Sequence, residues 1–136
     1  MAGREIAVFV NVFFMQFKFI LDKRIVHVKS IRGLLSDNKS RGSLCGYLIT
    51  NGLLEIYALI DDDLDEDEKI KTLIHELCHQ IFPTAHHQYI YDLENILYKR
   101  FSNKQRRYLL GKIPRTSYYV RYVHIGKNSF MKFSHA

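Results

Sequence analysis

The chain has no tryptophan, only two prolines and two cysteines in 136 residues, and no acidic side chain after Glu94. Two cysteines, Cys45 and Cys78, cannot staple a small secreted framework, so they read as small buried thiols of a reducing compartment. A cytoplasmic location is therefore expected. With so little proline and only seven glycines there is no linker to divide the chain, and no segment repeats. Residues 1–136 are expected to form one domain, with the last ten or so, polar and without periodicity, as a fraying tail. A membrane span is also missing. The one long apolar run, residues 6–21, is interrupted by Asn11, Gln16 and Lys18 and is followed by no small-residue cleavage site. It reads as a buried strand, and no membrane partner is expected.

What is present begins with 47% hydrophobic residues, enough for a core, and a net charge of +6 that is unevenly placed. Seven of the eight residues from Asp61 to Glu68 are acidic, whereas the chain beyond Glu94 carries only lysines and arginines as charged side chains, interleaved with Tyr108, Tyr118, Tyr119 and Tyr122. A solvated basic surface explains this segment. It also suits a patch for nucleic acid, although no helix-turn-helix, zinc-finger or RNP signature accompanies it.

Strands are expected at about Ile25–Ile31 and on either side of Thr50-Asn51-Gly52, because Asn-Gly between apolar runs is a hairpin signal. Asp65 with Glu68 three residues later predicts a helix start, where clustered carboxylates favour the positive N-terminal end. Asp61, Asp63 and Asp65 imitate the opening of a calcium loop, but Glu66 and Thr72 stand where that loop needs glycine and glutamate. From Ile70 onward, Leu73, Ile74, Leu77, Cys78 and Ile81 recur at helical spacing. Pro83 ends this helix. Thr84 is placed to cap the next one, from about His86 to Phe101, and Ser102 with Gln105 opens a third that Gly111 closes. A last strand is expected from Thr116 to Ile125.

Residues 75–79 read HELCH. Four-residue spacing on a helix stacks His75 and His79 one turn apart, where both imidazoles reach one metal ion, and Glu76 beside them is left free to act as a base. A helical wheel puts this group off the apolar face, close to Thr72. On the next helix Glu94 falls inside the apolar stripe of Ile90, Leu93, Leu97 and Phe101, where a carboxylate needs a cation. A metal held by the first helix, or a lysine or arginine from elsewhere, would be that cation. Two imidazoles and one carboxylate with an open fourth position form the ligand set of a catalytic zinc, which lowers the pKa of bound water to about 7. Glu76 would then take the proton of that water and deliver it to a leaving amine, so the expected chemistry is peptide hydrolysis.

This segment resembles the zincin metallopeptidases, closest by ligand type to the gluzincin branch, in which a glutamate on the following helix is the third ligand. LIHELCHQIFP is also similar to small metallopeptidases encoded by phages and prophages, over about residues 53–100. The resemblance implies an α+β, zincin-like fold with an N-terminal, mostly antiparallel sheet packed on the HExxH helix and its successor. It implies His75, His79 and Glu94 as ligands of Zn2+, Glu76 as general base, and a peptide or protein substrate. Metzincins would need glycine and histidine where Phe82 and Ala85 stand. SprT-like proteases share the LIHELCH string and act at DNA, but their third ligand is a downstream histidine; His86 and His87 come early for it and His124 late. If the turn after Pro83 folds back, either of the first two reaches the ion in place of Glu94. Tyr89, Tyr91, Tyr98, Arg121 and His124 are unranked candidates to stabilise an oxyanion. The alternative function is a weakly active or inactive zincin-like module that binds nucleic acid or a protein through its basic C-terminal half.

Overall fold

In a computed structural model, which describes residues 3–34, 46–51, 55–125 and 128–136, the run from Ile6 to Leu21 belongs to a helix, α1 (Gly3–Asp22). This corrects the strand expected there. Val10, Phe13, Phe17, Ile20 and Leu21 are buried at helical spacing, while Val8, Val12, Met15 and Phe19 form a second apolar stripe that is 50–61% exposed. Two apolar stripes on one helix hide its period and make the run look uniformly hydrophobic. Arg24, with a φ of 54°, ends α1: Ile25 N–H donates to Ile20 and Arg24 N–H to Leu21 across the left-handed turn.

The remaining described elements are β1 (Val26–Ile31), β2 (Gly46–Asn51), β3 (Glu55–Asp61), α2 (Glu66–Ile81), α3 (His87–Arg100), α4 (Asn103–Gly111), β4 (Ser117–Ile125) and β5 (Asn128–His135). The protein is α+β, with a five-stranded sheet in the order β2-β3-β1-β4-β5. The sheet is mixed rather than mostly antiparallel. β2 and β3 pair antiparallel from Gly46↔Ile60 to Asn51↔Glu55, as the hairpin signal predicts, although Gly52 lies outside the described residues. β1 runs parallel to both β3 and β4, because α1 delivers the chain into β1 from one end and long crossovers separate it from both neighbours. The last residues are not a fraying tail. They form β5, whose Phe133 pairs with Val120 and Met131 with Tyr122 on β4.

The helices cover one sheet face. Phe17, Leu73, Leu77, Ile90, Leu97 and Phe101 are nearly inaccessible there, and Ala58 and Ile60 meet them from β3. On the other face a smaller cluster joins Ile31, Leu34, Leu59 and Met131, with the rings of Tyr57 and Phe133 5.0 Å apart. Among the described residues no helix is long and apolar enough to cross a membrane.

The acidic run has local structural roles. Asp65 caps α2 by accepting from Glu68 N–H at 2.8 Å, Asp61 accepts from Asp63 N–H at 2.9 Å, and Asp62 lies 3.8 Å from Lys69. Helix α3 begins one residue after His86, whose ring Nδ1 accepts from Gln88 N–H at 3.2 Å. That cap replaces the one expected at Thr84, because the turn after Pro83 delays the helix. Ser102 and Gln105 form the reciprocal capping box on α4.

Candidate functional site

Helix α2 presents Leu73, Ile74 and Leu77 to the core and turns His75 and His79 toward α3. Residues 82–86 reverse the chain, so α3 lies against α2 and brings His87, Tyr91 and Glu94, at spacings of four and three, to the histidine side. His75 Nε2 and His79 Nε2 are 3.1 Å apart. On its other ring nitrogen, Nδ1, His75 meets Glu94 Oε1 at 2.9 Å, both side chains being about one-eighth exposed at 12% and 13%. Glu94 thus acquires the cationic or donor partner that its place in the α3 stripe demands.

One donor atom each from His75, His79 and His87 lies within 4.8 Å of the other two. The His87 ring is centred 5.1 Å from that of His79 and 6.4 Å from that of His75. Tyr91 closes one side, its ring 4.7 Å from His75. His86 is occupied at the α3 cap. Of the other oxyanion candidates, Tyr89 packs on Phe82, Tyr98 donates to Asp67 at 2.7 Å beneath Lys71 and Arg106, and Arg121 is exposed on β4. The His124 side chain and Cys45 lie outside the described residues.

Glu76 departs from the polar, open position given by the helical wheel: it is only 4% exposed, under β2. Burial pushes its carboxyl up to about 7, opposed by the nearby His75 and by a hydrogen bond from the Leu48 backbone, and reinforced by Glu94. His79 is pushed below the usual histidine value by burial and by its two histidine neighbours, which favours the neutral imidazole. Cys78 faces the core, and burial raises its thiol to about 12, so it stays protonated and inert.

The donor chemistry fits a borderline-soft divalent ion. Two imidazoles on one zinc at 2.0–2.1 Å in tetrahedral geometry place their nitrogens about 3.3 Å apart, close to the separation of the two Nε2 atoms. Partial exposure leaves the cluster reachable from solvent. No family model, no curated protein and no solved structure matches the chain.

Proposed function

We propose that the protein is a minimal zincin-like zinc peptidase, with His75 and His79 as two of the metal donors and Glu76 as general base. The observation that carries this reading is the convergence of the two Nε2 atoms at 3.1 Å beside a buried glutamate one residue along the same helix. Zinc bound there supplies Lewis acidity toward a substrate carbonyl and toward water. Glu76 accepts a proton from the attacking water and returns it to the leaving amine. Glu76 is 4% exposed, its carboxylate accepts a hydrogen bond from the Leu48 backbone, and His75 beside it favours its charged form. Edge strand β2 lies beside α2, a place where an extended peptide finds backbone partners.

The test is zinc content together with hydrolysis of peptides or unfolded protein. Wild type is expected to bind one zinc, His75→Ala to lose it, and Glu76→Gln to keep it while activity falls about 10²- to 10⁴-fold. A wild type that takes up no zinc overturns the proposal.

A second reading rests on the outer surface of the β4–β5 hairpin, where Arg121 and Lys132 are paired, both exposed, and Tyr119 is 48% exposed. It makes the domain a binding module for nucleic acid. Salt-dependent DNA or RNA binding that persists in Glu76→Gln supports it, and no retention at low salt removes it.

A further inference from the structure

Resting on the peptidase reading, we infer that His87 is the third protein donor to the metal and that Glu94 is a positioning residue, which holds His75 through Nδ1. The two nitrogens of one imidazole point to opposite sides of the ring. Because Glu94 Oε1 lies 2.9 Å from Nδ1, the ring proton sits on Nδ1 and is donated to the carboxylate, leaving the Nε2 lone pair free. That lone pair faces His79 Nε2 at 3.1 Å. An ion between these two atoms is therefore on the side of His75 away from its bond with Glu94.

His87 is the exposed member of the cluster. Its donor atom joins those of His75 and His79 within 4.8 Å, and among the described residues no such three-donor group includes Glu94. The geometry of α3 gives the reason. His87, Tyr91 and Glu94 share one face over two turns, so the first joins the donor atoms of His75 and His79 and the last reaches Nδ1 of His75, while the Tyr91 ring lies against His75. A carboxylate on the remote nitrogen of a metal-bound imidazole fixes its tautomer and raises its basicity. His87 is exposed and lies at the first position of α3, where a side chain can be replaced without opening the core.

X-ray absorption of the full chain loaded with one equivalent of zinc decides between the donors. The wild-type shell is expected to hold three imidazoles, His87→Ala two, and Glu94→Gln three with affinity lowered about 10- to 100-fold. Proton NMR of the zinc form adds a signature of positioning. The low-field Nδ1–H resonance of His75 should be present in wild type and His87→Ala, and displaced upfield in Glu94→Gln. A wild-type shell of two imidazoles and one carboxylate, unchanged in His87→Ala, overturns this assignment and leaves the peptidase reading standing. Absence of zinc from wild type overturns both.

Discussion

Arg24 holds a backbone conformation that costs an L-residue about 1 kcal/mol, at the position where a helix end ordinarily carries glycine. Arg24→Gly should therefore raise stability by up to about 1 kcal/mol, read as an increased denaturation midpoint at unchanged slope. The opposite holds at Gly46 on β2. A Cβ there would collide with the Leu59 carbonyl oxygen and come within 2.8 Å of Thr72 Cγ2, so Gly46→Ala should cost at least about 1–3 kcal/mol. The same substitution shifts β2 against α2 and so disturbs the cover over Glu76. At this scale the spacing of His75 and His79 was legible from five letters, because it depends on one helix alone. Glu76's burial was not, since its cover comes from Leu48, far away in sequence. That His87 joins the two histidines while Glu94 meets Nδ1 of His75 depends on how α3 settles against α2, which spacing along the chain does not define.

Helix α2 is the element most fully written in sequence: the Asp65 cap, the acidic first turn, the apolar spacing and the stop before Pro83 all agree. Asp65→Ala should cost about 1 kcal/mol, measured by thermal or denaturant unfolding, with zinc stoichiometry unchanged. Helix α1 is the counter-example. Aromatic and β-branched composition favoured a strand, yet sixteen residues are too many for an ordinary strand, and Arg24 gave no stop signal. Its place in the core makes Phe17, fully buried against Phe13 and Phe101, the side chain to test. Phe17→Ala should destabilise by about 3–5 kcal/mol, whereas Phe19→Ala, on the exposed stripe, should change stability little. β5 was missed for a different reason: an edge strand needs only its neighbour's backbone, and the few apolar residues Phe130, Met131 and Phe133 among polar ones are too short a run to set a period.

Across the whole molecule, Asp22 ties the end of α1 to the end of α4. Lys18 and Lys112 lie 2.8 and 2.9 Å from its oxygens and Tyr108 donates to it, and these partners hold the carboxyl well below the usual range. A lowered folded-state pKa gives stability that is present above the ordinary carboxylate value of about 4 and is lost as pH falls further. Asp22→Asn should thus lower stability at neutral pH and flatten its decline below about pH 4, a comparison made by acid titration of the unfolding midpoint. Exposure of the cluster keeps the effect modest and salt-sensitive.

Among the described residues the β4–β5 ladder has eight residue pairs, whereas the backbone ladder from β4 to β1 has two, Ser30↔Ser117 and Ile31↔Tyr118. Closing that second contact joins segments more than eighty positions apart, at a cost in chain entropy that the local hairpin does not bear. The hairpin should therefore dock late during folding and open first under native conditions. Its amides would then exchange with deuterium as one group, ahead of those of α2 and β3, so that the α2–α3 pair and its histidine cluster survive excursions in which the sheet has lost two of its five strands.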